Sequence, residues 1–280
     1  MNNHESIKQA LRADYKRFGS LTKLEFETGV SKAYLSQILN DKLNPSEAIW
    51  AKLENHYRFA RLGYHYIETA NQNKALAQMK FAQAHKLLSC VIGNRGTGKS
   101  TAAREYARQH ENVFYVEGSS NVPVRLFLEN VAKALYLQVA GNKAVLIAAI
   151  RGKLANTRHA VLLIDEASEL NDNCLLTVKQ LYGDLTTAQA GIVLLGTAYL
   201  EQNLNKQARK NKRGFVELLD RISFPFVHLK EANANEALQM CTINGVTDQI
   251  FIEHAVMRAK ATGSYRGVEE AITYQKQANQ

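Results

Sequence analysis

The 280-residue chain is poor in proline and glycine, with 3 and 16 residues respectively. Both counts exclude collagen-like and low-complexity chains, and 46% hydrophobic against 22% charged residues is the composition of a globular protein with a core to bury. No run of about 18 apolar residues occurs, so no helical membrane span is expected. The opening stretch MNNHESIKQALRADYKRF lacks the apolar segment of a secretory leader. Cysteine is scarce: Cys90, Cys174 and Cys241 are odd in number and widely scattered, which excludes a disulfide framework and points to the cytoplasm. Acidic side chains are also in deficit, 26 against 35 Lys plus Arg, for a net charge of +9. Such an excess fits either a polyanionic partner, nucleic acid first, or a solubility surface, and charge by itself does not choose between them.

Apolar periodicity divides the chain. Residues 1–62 carry helical spacings only: Ile7, Leu11 and Tyr15, then Leu21, Leu24 and Phe26 up to Gly29. Ser31 is the expected N-cap of a third helix with Tyr34, Leu35, Ile38 and Leu39 on one stripe. A break at Leu43-Asn44-Pro45 precedes a fourth helix from Ser46 to about Arg61. Residues 63–85 read as a polar connector holding a helix at 74–84. From Leu87 short runs apolar on both faces alternate with helical stretches: 87–92, 113–116, 160–164, 192–195 and 224–229. That is the signature of a parallel sheet covered on both sides, hence an α/β core over 86–231. Three helices, near 234–242, 248–262 and 265–277, close the chain as a small domain over 232–280.

One motif dominates. Gly93-Asn94-Arg95-Gly96-Thr97-Gly98-Lys99-Ser100 fits G-x-x-x-x-G-K-[ST] between an expected strand and an expected helix from Thr101. Glycines let backbone N–H groups face phosphate oxygens at a helix N-terminus, Lys99 reaches the β- and γ-phosphates, and the Ser100 hydroxyl ligates Mg²⁺. About 65 residues later the run Ala160–Ile164 ends in Asp165-Glu166, two carboxylates at the carboxyl edge of the sheet. Asp165 would hold the metal's water shell and Glu166 would polarise the attacking water. The next strand ends at Gly196-Thr197, where the threonine would contact that water, cap a helix, or do both. ATP and Mg²⁺ are the expected cofactors.

Two regions are candidates for contact with duplex DNA. Residues 21–40 resemble a helix-turn-helix, with Gly29 in the turn and Ser31, Lys32, Tyr34, Ser36 and Gln37 on the outer face of the second helix. A protein-docking bundle is the alternative, because the segment is nearly balanced in charge. The second region, Asn205–Arg213, places Lys206, Arg209, Lys210, Lys212 and Arg213 within nine residues, without an acid, in an expected loop. Arg151, Lys153 and Arg158 form a further basic cluster, and a solvated face remains the alternative for all of these.

The order of motifs resembles the AAA+ ATPases over about residues 64–277. The resemblance implies a P-loop NTPase core, a helical lid, adenine contacts from Tyr66-Ile67-Glu68-Thr69, an arginine finger at Arg221 (or Arg213) acting in a neighbour's site, and a lid arginine at Arg266. Together with the amino-terminal module, SKAYLSQILNDK at 31–42 and LIDEA at 163–167, the chain is similar to the transposon target-selection ATPases. That likeness implies ATP-dependent, largely sequence-independent assembly of the protein on duplex DNA as a helical homo-oligomer, and delivery of that DNA to a partner transposase. An ATP-regulated transcription factor and a helicase loader are the rival readings.

Overall fold

The computed structural model describes residues 3–42, 45–57, 69–183, 186–222 and 226–278. They fall into two compact units, one drawn from residues 1–66 with 243–245 and the other from 67–242 with 246–280. Expected features at 43–44, 58–68 and 223–225 lie outside the described residues, including the end of the fourth helix, Phe224 and three of the four adenine candidates.

The amino-terminal unit is helical: α1 (Asn3–Phe18), α2 (Leu21–Thr28), α3 (Lys32–Leu39) and α4 (Glu47–His56). Ile7 and Leu11, one turn apart on α1, bury against Leu24, Val30, Leu35, Ile38, Trp50 and Leu53. At about 1.5–3 kcal/mol for each large apolar side chain removed from water, this cluster offsets much of the ordering entropy of so short a segment. Gly29 turns α2 into α3 with φ +67°, a left-handed conformation that favours glycine. Thr28 fastens the same turn, its hydroxyl donating to Leu24 O (2.7 Å) and accepting from Val30 N (3.2 Å). Ser31 has the extended backbone of an N-cap, but its side chain makes no cap bond.

The larger unit is built on five parallel strands, β1 (Leu88–Ile92), β2 (Val113–Glu117), β3 (Val161–Asp165), β4 (Gly191–Gly196) and β5 (Val227–His228), in the order β2-β3-β4-β1-β5. Alternate residues sort to opposite faces. Val91, Val161, Leu163, Val193 and Leu195 pack under α5 (Ala70–His85) and α6 (Lys99–Gln109). Leu88, Cys90, Ile92, Leu162, Ile164, Ile192 and Leu194 pack under α7 (Val124–Ala134), α8 (Lys143–Ala155), α9 (Asp172–Tyr182), α10 (Ala198–Arg209) and α11 (Phe215–Arg221). The last three helices are α12 (Ala234–Ile243), α13 (Gln249–Thr262) and α14 (Arg266–Ala278). No helix among the described residues is long and apolar enough to cross a membrane.

The helix ahead of the sheet and the sheet's fifth strand differ in extent from the sequence-based expectation. The helix of the expected connector runs longer, from Ala70, and lies on the sheet through Ala75, Met79 and Ala82. The helix backbone comes close to the sheet at Ala82: a Cβ on Gly191 would sit 2.3 Å from Ala82 O. Among the described residues the fifth strand is Val227–His228, with His228 exposed beside β1, and 224–225 of the expected strand lie outside those residues.

Candidate nucleotide site

The site is built where β1, β3 and β4 end. Gly93 N donates to Gly196 O (3.0 Å), tying the loop after β1 to the tip of β4. Gly96 (φ +76°) and Gly98 (φ +91°) both take left-handed backbone, and Gly98 caps α6, which starts at Lys99, two residues earlier than expected. Lys99 is 6% exposed, and its ammonium donates to Gly93 O (2.7 Å) and Asn94 O (2.8 Å). Burial lowers its pKa, opposed by the nearby charges of Asp165 and Glu166. Thr97 is structural, its buried hydroxyl donating to Asn94 O (2.8 Å). Arg95 is exposed and pairs with Glu169 at 3.5 Å. Ser100 and Thr101 are half-buried on the first turn of α6.

Asp165, 1% exposed, ends β3 with both carboxylate oxygens engaged: Oδ1 accepts Glu166 N (2.9 Å) and Oδ2 accepts the Tyr115 hydroxyl (2.8 Å). Glu166 follows in left-handed backbone (φ +47°), a conformation uncommon for residues with a side chain. Gly118 closes against it, donating from N to Asp165 O (2.8 Å), and a Cβ there would lie 2.9 Å from Glu166 O. Beside this turn Ser168 Oγ accepts Thr197 N (2.7 Å) and lies 3.0 Å from Thr197 Oγ1. Thr197 has the backbone of the α10 N-cap, without a side-chain cap bond, so its hydroxyl is oriented by Ser168 instead.

The carboxyl-terminal helices also reach the loop. Tyr265 N donates to Gly96 O (2.9 Å), and a Cβ on Gly96 would fall 1.9 Å from Ser264 Oγ and 3.4 Å from Arg266 Cγ. Arg266, exposed at the start of α14, is thereby held beside the phosphate loop. Asn71, buried at the start of α5, exchanges bonds with Lys230 N and O (2.9 and 2.8 Å) and reaches toward Thr97 O (3.5 Å). Thr69, the one adenine candidate within the described residues, caps α5 by accepting from Gln72 N (3.0 Å).

Sequence reasoning missed Tyr115, Gly118, Ser168 and Asn71, since each contributes through a partner distant in the chain. Arg221 is the last residue of α11, half-buried and followed by Ile222, which bridges to Leu88 of β1, and its Nη1 donates to Lys179 O (3.1 Å). Arg213 is exposed.

Of the DNA candidates, Lys32, Tyr34 and Gln37 are exposed on α3 and Ser36 is half-buried. The first part of the expected basic loop, 205–209, is helix, because Leu200 and Leu204 anchor α10 to the core and carry it on to Arg209, while Lys210, Lys212 and Arg213 follow the helix. Lys206, Arg209 and Lys210 are exposed, whereas Lys212 pairs with Asp172. On α8 Arg151 is exposed and Lys153 half-buried.

A family model described as an AAA domain matches residues 82–204. The chain is 30% identical over 250 residues to the ATP-dependent target DNA activator B of Escherichia phage D108, covering 85% of this chain and 78% of that protein. It is 29% identical over 210 residues to the protein of the same name from Escherichia phage Mu, covering 72% of this chain and 65% of that one. The Mu-like prophage FluMu DNA transposition protein B of Haemophilus influenzae is 30% identical over 187 residues, covering 62% of this chain and 63% of its own length.

Proposed function

The chain belongs to the family of ATP-dependent target DNA activator B proteins and carries its AAA domain, and on that premise we propose that it binds and hydrolyses ATP, assembles on duplex DNA without regard to sequence, and presents that DNA to a partner transposase. The observation that supports this best is the meeting of Lys99, Asp165, Glu166 and Thr197 at one edge of the sheet, with Arg266 beside the loop, next to the Tyr265 N–Gly96 O hydrogen bond.

The donors suit Mg²⁺ and a nucleotide. Ser100 offers a hydroxyl and Asp165 a carboxylate with lone pairs left over, hard oxygens of the kind Mg²⁺ takes beside its waters and the phosphates. When bound, the ion neutralises charge developing on the phosphate oxygens. Lys99 would exchange the carbonyls of Gly93 and Asn94 for phosphate oxygens, a short swing since the carbonyls belong to the loop itself. The N–H groups of Gly96, Thr97 and Gly98 line the anion nest. Glu166 polarises the attacking water, Thr197 orients it, and Arg266 brings positive charge from the lid. Arg221, fastened to the end of α9, serves a neighbouring subunit's nucleotide, which makes hydrolysis depend on assembly.

Ser168 tunes this arrangement. Ser168→Ala should leave ATP affinity within about three-fold and slow hydrolysis about ten-fold, the kinetic equivalent of one net hydrogen bond of ~1–1.5 kcal/mol. Comparing equilibrium titration with initial rates checks this, and equal rates would remove Thr197 orientation from the mechanism.

DNA contact rests on the exposed charges of α10 and α8, with α3 as a loading element that matters most when few subunits are engaged. Phosphate contacts release counterions and carry no sequence information. Replacing Lys206, Arg209 and Lys210 together with alanine should weaken binding to unrelated duplexes alike and reduce the magnitude of the slope of log affinity against log salt by about two to three. ATP binding should persist. A slope equal to wild type would make this stretch a solvated face, and a loss confined to one duplex sequence would favour a transcription regulator.

A further inference from the structure

Tyr115 belongs to none of the phosphate-binding motifs, yet it is the second donor on the Asp165 carboxylate. Strands β2 and β3 run parallel with Glu117 opposite Asp165 and Tyr115 opposite Leu163. The tyrosine therefore starts two residues short of the carboxylate, a gap that its long side chain spans to place the hydroxyl 2.8 Å from Oδ2. With Glu166 N on Oδ1, each oxygen has its own donor, and the carboxylate is held in a single orientation inside a nearly closed site.

The ring is braced as well. The Arg104 guanidinium lies 5.5 Å from the Tyr115 ring centroid and pairs with Glu117 at 3.4 Å. Arg104 sits on α6, the helix that begins at Lys99, so a continuous line of contacts runs from the phosphate-loop helix through Tyr115 to Asp165.

We propose that Tyr115 is a positioning residue for the metal: by orienting Asp165 it sets the affinity of the nucleotide site for Mg²⁺, with Arg104 keeping the ring in place. The proposal rests on the ATP and Mg²⁺ reading above. Outer-shell partners of this kind change metal affinity by about 10–100-fold when removed.

The test titrates Mg²⁺ into the full chain with a fluorescent ATP analogue and repeats the nucleotide titration in EDTA. Tyr115→Phe deletes one oxygen and keeps the ring. It should bind nucleotide in EDTA within about two-fold of wild type, while the half-saturating Mg²⁺ concentration rises about ten-fold or more. Saturating Mg²⁺ should restore its hydrolysis, a rescue that a merely structural role would not produce. An unchanged Mg²⁺ midpoint overturns the proposal, as does an equal loss of affinity with and without the ion. If the wild type itself shows no Mg²⁺ dependence, the metal reading fails, and the proposal with it. Should Tyr115→Phe not fold, Arg104→Gln gives the same readout: a midpoint raised about three-fold supports the proposal, and an unchanged one overturns it.

Discussion

Lys99→Ala should abolish measurable ATP binding and, with it, binding to DNA. Lys99 is the buried cation of the phosphate loop, 6% exposed and already desolvated where Arg95 is exposed and paired with Glu169, so its contact with phosphate requires little further dehydration. Removing one partner of a buried charged pair costs about 2–5 kcal/mol, or roughly 30-fold to several thousand-fold in affinity. The variant also leaves the carbonyls of Gly93 and Asn94 without their ammonium donor, a stability cost of about 1–3 kcal/mol that thermal unfolding without nucleotide separates from the binding loss. Titration with a fluorescent ATP analogue is the check. Affinity equal to wild type in a folded variant would place the phosphates elsewhere.

Glu166→Gln should have the opposite profile: ATP bound within a few-fold of wild type, hydrolysis slower by about 10²–10⁴, and DNA-bound assemblies that persist after wild type has dissociated. The backbone of Glu166 is left-handed and Gly118 packs against its carbonyl, so the turn holds the side chain in place. Glutamine keeps that shape and loses only the charge that polarises water. Single-turnover hydrolysis measured beside the dissociation rate from duplex DNA tests both halves. Normal turnover would assign the water to another group.

What could be read from the chain and what could not follows from chemistry and distance. A phosphate nest needs glycine and lysine at fixed intervals in one short loop, so Gly93–Ser100 is visible in a single line of sequence, and a buried run ending in Asp165-Glu166 marks a strand tip equally well. The structure brings these segments together through β4, which lies between β1 and β3. Tyr115, Ser168 and Asn71 were invisible because each meets its partner across 29 or more residues and looks like an ordinary strand, turn or helix residue. Asn71 bonds to Lys230, 159 residues away. Helix α5 was underrated for a related reason: its polar, Asn- and Gln-rich surface hides the narrow stripe of Ala75, Met79 and Ala82 that meets the sheet at Gly191. The basic stretch misled in the other direction. Five charges within nine residues suggest a loop, but Leu200 and Leu204 carry α10 on through Lys206 and Arg209, so that only Lys210, Lys212 and Arg213 follow in the loop, and Lys212 pairs with Asp172.

Electron microscopy of the full chain mixed with duplexes of unrelated sequence, with and without a slowly hydrolysed ATP analogue, bears most directly on ATP-controlled assembly on DNA. Regular protein-coated duplexes should form on every sequence when the analogue is present and be absent without it. Coating that forms equally well without nucleotide, or on one sequence alone, would contradict it.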